Sequence, residues 1–133
     1  MNAPGGAHDE AAVDVAGAEL VAWGKAILLE TTGRRTGRTR ATPVGFLEEP
    51  DGSLRIAASE ATTGWARNLA ADPHCRVTLR DTRSAWVAEA VDDAERREIV
   101  TGLILRYGTP AERLGAGPAF RLRRVPSSGA EPG

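Results

Sequence analysis

Four arginines and two glycines crowd the ten residues Thr31–Arg40, TTGRRTGRTR. Arg34, Arg35, Arg38 and Arg40 put like charges on one short turn, and they repel one another unless something negative lies among them. Gly33 and Gly37 let the backbone bend sharply and bare its N–H groups. Guanidinium forks grip phosphate or carboxylate at two points, and Thr36 adds a hydroxyl donor. That combination suits a polyanionic ligand. A solvated, charged hairpin turn is the plainer reading, and a nucleic-acid loop is a third. No aromatic residue interleaves with the arginines to stack on bases. The segment is not a P-loop, because it lacks GK[ST] and no helix follows. It is not a dinucleotide fingerprint either, since it lies between strands.

Other reactive residues are few. Cys75 is the only cysteine, so no intrachain disulfide can form. A buried, inert thiol is expected there, with His74 on the opposite face of its strand. His8, His74 and one cysteine offer no metal-ligand spacing. Trp23, Trp65 and Trp86 read as core residues rather than ligand platforms.

The whole chain supplies the setting. It has 133 residues, 41% hydrophobic, enough for one domain with a modest core. Seventeen basic and 18 acidic side chains leave a net charge of −1, so no global field favours nucleic acid or membrane. The arginine turn is thus a local feature on a near-neutral protein. All basic residues but Lys25 are arginines, a bias that fits a GC-rich genome. No apolar run has the length of a membrane span, and MNAPGGAHDE has neither the basic nor the apolar region of a signal peptide. The expectation is a soluble, cytoplasmic protein.

The elements that must hold the turn can be read from periodicity. Residues 1–8 read as a disordered N-terminus, 9–125 as one domain and 126–133 as a disordered tail. A helix is expected from Asp9 to about Trp23. Ala26–Thr31 and Arg40–Glu48 read as strands flanking the turn, with Pro43 demanding an edge or bulge. Glu49–Gly52 signals a turn before a strand at Leu54–Ser59. Thr62 or Thr63 caps a helix to about Ala71, ended by Asp72-Pro73. Cys75–Arg80 alternates apolar and polar residues. Asp81-Thr82 turns it into Ser84–Val91. Asp92 with Glu95 has capping-box spacing for a helix Asp93–Tyr107, stopped by Gly108. Its acidic start, Asp92–Glu98, reads as a solvated face. Ala119–Val125 is the last strand, with Arg121 and Arg123 on one solvent face. The sum is a mainly β domain with helical insertions (α+β): about six mostly antiparallel strands forming a small barrel.

The segments LLETTGRRTGRTRATPVGF and LRIAASEATTGWARNLAADPHCRVTLR resemble the deazaflavin-dependent nitroreductase family of actinobacteria, which includes F420H(2)-dependent quinone reductases. The shared pattern is T-T-G-R-x-[ST]-G-x-x-R-x-x-P, then W-x-x-N-L and A-x-P, covering about Ile27 to Arg80. The resemblance implies a split β-barrel, of the pyridoxamine-oxidase and flavin-reductase kind, that binds coenzyme F420. F420 is a deazaflavin with a phosphate and an oligoglutamate tail. On this resemblance Arg34, Arg35, Thr36, Gly37 and Arg40 hold the anionic tail, with Arg38 lesser. Pro43 and Val44 lie along the ring, Ala58 and Ser59 meet its polar edge, and Trp65 and Asn68 are structural. Tyr107, the only tyrosine, and Ser59 are candidate proton donors. A tyrosine packed on the core at a helix end is the alternative for Tyr107.

The chain departs from the family at three places. Glu60 stands where a lysine is common, the segment before Trp65 is short, and Gly45 replaces a ring-lining tyrosine of some members. The implied activity is hydride transfer from reduced F420 to a quinone, nitro compound or enone. Alternatives are a non-redox split barrel acting as a ligand-binding protein, isomerase or cyclase, or an FMN binder. The implied partner is a small molecule, with no nucleic acid or membrane span, in a monomer or homodimer.

Overall fold

A computed structural model describes residues 15–60, 63–108 and 117–126, with side chains from Glu19 onward. The expectations for residues 1–8 and for most of the C-terminal tail lie outside these residues. So does Thr62.

The first helix, α1, is Val15–Ala22. Among the described residues seven strands follow: β1 Ile27–Thr32, β2 Thr39–Val44, β3 Leu47–Glu48, β4 Leu54–Ala57, β5 His74–Leu79, β6 Thr82–Ala90 and β7 Ala119–Arg124. Helix α2, Gly64–Ala71, lies between β4 and β5, and α3, Asp93–Tyr107, between β6 and β7. The strands form one antiparallel sheet in the order β2-β1-β5-β6-β7-β4-β3. Pro43 sits on β2, an edge strand, where its missing N–H costs no ladder bond.

Alternation puts Ile27, Leu29 and Thr31 of β1 inward with Cys75 and Val77 of β5, Trp86 and Ala88 of β6, and Phe120 and Leu122 of β7. The curled sheet encloses these side chains together with Phe46, Leu54 and Ile56. Helix α2 adds Ala66 and Leu69 to the same core. Helix α3 covers the outer face of β4 and β7 instead. Its Ile99 and Leu103 rest on Ala57 and Ala119, whose small side chains let the helix come close.

Most element ends shift by one or two residues from expectation, and two differences go further. The expected strand Arg40–Glu48 breaks at Gly45-Phe46, which raises the strand count to seven. The Phe46 N–H donates 3.1 Å to the Tyr107 hydroxyl at the end of α3, so a contact distant in sequence ends the ladder. The β5–β6 turn is Arg80-Asp81 rather than Asp81-Thr82, since Leu79 pairs with Thr82; Arg80 takes the left-handed conformation, φ 59°.

Three side-chain expectations also change. Trp23 is not core but 69% exposed, just after α1. The acidic start of α3 is not merely solvated. Asp92 accepts the Glu95 N–H as an N-cap, but the Glu95 carboxylate does not complete a capping box. It pairs with Arg121 and lies 3.5 Å from Arg55 Nε. Arg121 is therefore an anchor for α3 rather than a solvent residue. Arg123 remains half-exposed, paired with Glu89 at 3.1 Å.

Candidate functional site

The arginine turn is shaped by its glycines for two different reasons. Gly37 has φ +73°, which L side chains rarely adopt. Gly33 is needed for closeness: an added Cβ would stand 3.0 Å from Thr36 Oγ1 and 3.1 Å from the Arg38 carbonyl. The turn closes through Gly33 N–H to Arg38 O, Gly37 N–H to Gly33 O, and Arg38 N–H to Thr36 Oγ1. Arg38 thus serves the turn through its backbone.

Asn68 fastens this turn to the fold. It is only 5% exposed, and its Oδ1 accepts from the Arg34 backbone N–H at 3.2 Å and from the Arg34 guanidinium at 3.0 Å. Its amide nitrogen donates 3.0 Å to Thr31 Oγ1, inside the sheet. One buried amide therefore joins β1, the turn and α2, and it fixes the direction of Arg34.

Two of the cavities beside α2 share Trp65. The first, about 430 Å³, has Gly33, Arg34, Arg35, Thr36 and Arg40 on one side and Gly64, Trp65 and Asn68 on the other. Its field is strongly positive. The Arg34 guanidinium is held below its ordinary pKa by desolvation first, then by the neighbouring charges of Arg67, Arg35 and Arg40. Among the described residues no carboxylate lies within ion-pair distance of Arg35 or Arg67. The second cavity, about 330 Å³, is mainly apolar. Pro43, Val44, Ala58 and Ser59 line it together, and so do Gly45 and Tyr107. Trp65 borders both cavities and packs on Phe120 with ring centroids 6.1 Å apart.

The candidate proton donors differ in what they touch. The Tyr107 hydroxyl donates to the Lys25 carbonyl at 2.5 Å and accepts from the Phe46 N–H. The Ser59 hydroxyl is exposed at the cavity rim, its one contact within hydrogen-bonding range among the described residues a long 3.5 Å to Thr63 Oγ1. Thr63, at the N-cap position of α2, makes no side-chain cap bond; its hydroxyl instead accepts the Glu60 N–H. Cys75 is buried, its thiol pushed up to about 12 by desolvation and by Asp72, which leaves it without nucleophilic character near neutral pH. Arg67 escaped the sequence reading. Its only signal is its place on α2 beside Asn68, the residue that points the helix at the arginine turn.

A basic cleft joined by a shared tryptophan to an apolar cavity suits a ligand with an anionic tail and a flat ring. Residues 8–111 match the model of the family described as F420H(2)-dependent quinone reductase. The chain belongs to that family. As an F420H(2)-dependent quinone reductase family member it is an oxidoreductase that uses reduced F420. Solved structures agree on the fold. An F420-H2 dependent reductase, FDR-A, is 24% identical, with a TM-score of 0.62 over 74% of this chain and 94% of its own. A protein solved as a domain-swapped dimer is 22% identical, with a TM-score of 0.62 over 84% and 96%. HutZ, the heme storage protein from Vibrio cholerae, is 18% identical, with a TM-score of 0.60 over 86% and 91%. All three share the curled antiparallel sheet, and the fold is the split barrel. Among the described residues no helix is long and apolar enough to cross a membrane, and no group of side chains could hold a metal ion.

Proposed function

We propose that this family member binds F420 with its phosphate and oligoglutamate tail in the arginine cleft and its ring in the apolar cavity, and passes hydride to a quinone. The carrying observation is the adjacency of the two cavities across Trp65. The residues present fit the group. Crowded guanidiniums around Arg34 supply positive charge that an anion relieves, and Gly33 and Gly37 keep side chains out of the cradle. When bound, reduced F420 supplies the hydride.

The chain's own residues position and shield. Arg34, Arg35, Thr36 and Arg40 bind the anionic part, while Gly37 shapes the turn beneath it. Pro43 and Val44 form the apolar wall that aligns the ring, and backbone at Ala58 and Ser59 meets its polar edge. Excluding water from this wall strengthens each polar contact made there. The reduced quinone needs protons, and the Ser59 hydroxyl at the rim is placed to relay one from solvent. Tyr107 belongs to the site as a wall rather than as the proton source, because its hydroxyl hydrogen is directed at the Lys25 carbonyl. A quinone is favoured over a nitro compound or enone by the family description, and the cavity's apolar lining supports a flat, uncharged acceptor.

The test is a fluorescence titration with F420 and, separately, FMN, on the wild-type chain and on Arg34→Ala/Arg40→Ala. Binding of F420 in preference to FMN, lost in the variant, is the expected result. Equal binding by the variant would remove the tail from this cleft.

A further inference from the structure

Ala58 and Ser59 edge the apolar cavity, and the main chain that carries them on to Glu60 is held from two sides. On one side lies Gly117, shortly before β7. A Cβ added there would stand 2.2 Å from the Ala58 carbonyl oxygen and 2.7 Å from both the Ala58 carbonyl carbon and the Glu60 nitrogen. All three are main-chain atoms, so none can swing aside as a side-chain tip would. Gly117 does not take the left-handed conformation, so glycine is required there for space. Pro118, next to it, accepts the Ala58 N–H at 2.9 Å. On the other side is Thr63, at the head of α2. Its hydroxyl accepts the Glu60 N–H at 3.2 Å, and its own N–H donates 3.1 Å to the Glu60 carbonyl. The N–H groups of Ala58 and Glu60 are thus committed to this clamp. The Ser59 N–H between them has no partner among the described residues.

The β7 side of the clamp is the stiffer one. β7 is an inner strand paired with β6 and β4, and Ile99 and Leu103 of α3 rest on Ala119. Ser59 and Glu60 are exposed. A side chain at position 117 would therefore displace the Ala58–Glu60 segment and leave β7 in place. From this geometry we infer that Gly117 and Thr63 are positioning residues of the apolar cavity: together they fix the Ala58–Glu60 main chain, and with it the uncommitted N–H of Ser59, for contact with a bound ring. Gly117 lines no part of that cavity and acts only through the segment it supports. The inference rests on the proposed placement of the ring and adds which residues hold its polar edge.

The test is a fluorescence titration of the full chain with F420 at about 50 and about 500 mM NaCl. Gly117→Ala should weaken F420 about tenfold and Thr63→Val about threefold, the scale of one hydrogen bond lost or misaligned. A hydrogen bond at contact distance is little screened, so each ratio to wild type should be the same at both salt concentrations. Thr63→Ser keeps the hydroxyl and should keep wild-type affinity. Val77→Ala truncates a fully buried core residue that lines neither cavity, so it should lower the unfolding midpoint and leave affinity unchanged. Amide hydrogen exchange reads the clamp with no ligand present, and should quicken severalfold at Ala58 in Gly117→Ala and at Glu60 in Thr63→Val. If Gly117→Ala fails to fold, Thr63→Val against Thr63→Ser carries the test. With F420 bound by the wild type, affinities within about twofold of it in Gly117→Ala and Thr63→Val overturn the inference alone. So does an equal loss in Val77→Ala or Thr63→Ser. A wild type that binds no F420 overturns the proposed function and this inference with it.

Discussion

Arg55 and Arg121 face each other across the β4–β7 ladder, while Arg34, Arg35 and Arg40 line the cleft beside α2, with Arg67 near enough for its charge to lower the Arg34 pKa. Each group brings like charges together. The first group is neutralised from within: Glu95 pairs with Arg121 and approaches Arg55 to 3.5 Å, with Glu49 and Glu98 at 3.7 and 3.8 Å. The result docks α3 on the sheet. In the second group Asn68 supplies a neutral amide oxygen rather than a charge. It orients Arg34, and among the described residues no carboxylate lies within ion-pair distance of Arg35 or Arg67. The first cluster fastens a helix to the sheet; the second is the one we propose as the binding surface.

The largest expected effect tests the second half of that contrast. Arg34→Ala/Arg40→Ala removes two charge-assisted contacts, together about 3–4 kcal/mol, so F420 affinity should fall a hundred- to a thousandfold. Arg123→Ala, a substitution away from the cleft, should leave it unchanged. A loss below threefold in the double variant would break the contrast. Asn68→Ala strands the Thr31 hydroxyl and releases the Arg34 backbone and side chain. Denaturant unfolding should show a loss of about 2 kcal/mol. F420 affinity should drop in parallel even though no charge has been removed.

Glu95→Gln addresses the first half. It leaves Arg121 without its carboxylate partner and Arg55 with only Glu49 at 3.7 Å and Glu98 at 3.8 Å. These side chains are about a quarter exposed, so the expected loss of stability is about 1–2 kcal/mol rather than that of a fully buried pair. F420 binding should not change. A variant with wild-type stability but weakened binding would mean that the two clusters communicate.

Much of this was legible in the sequence, because local chemistry settles it. Period-two alternation marked β5, and the turn after it marked β6 as its partner. Asp92 and Gly108 bounded α3 at both ends, and the glycine spacing marked the turn. Distance in sequence hid the rest. The break at Gly45-Phe46 follows from a hydroxyl on Tyr107, and the pairing of Glu95 with Arg55 and Arg121 joins three separate elements. Trp23 looked like core because tryptophans usually are, and its exposure depends on where α1 ends. The candidate site was legible as two groups of residues. That Trp65 borders both cavities, and that Tyr107 stands over Gly45, depends on how helices seat on the sheet.

The smallest effect is the sharpest on the reach of the open cluster. Arg67 is exposed on α2, yet it is the largest charge influence on Arg34, ahead of Arg35 and Arg40. If the cleft works as a shared field, Arg67 attracts the anionic tail without gripping it. Arg67→Ala should then weaken F420 by about 1 kcal/mol, roughly fivefold, at low ionic strength. Because that field passes through solvent, the gap to wild type should close as NaCl rises from about 50 to about 500 mM. A larger loss that survives high salt would make Arg67 a direct contact and extend the cleft along α2. No loss at low salt would confine the cluster to the turn itself, leaving Asn68 and the three arginines beside it to account for all of the binding.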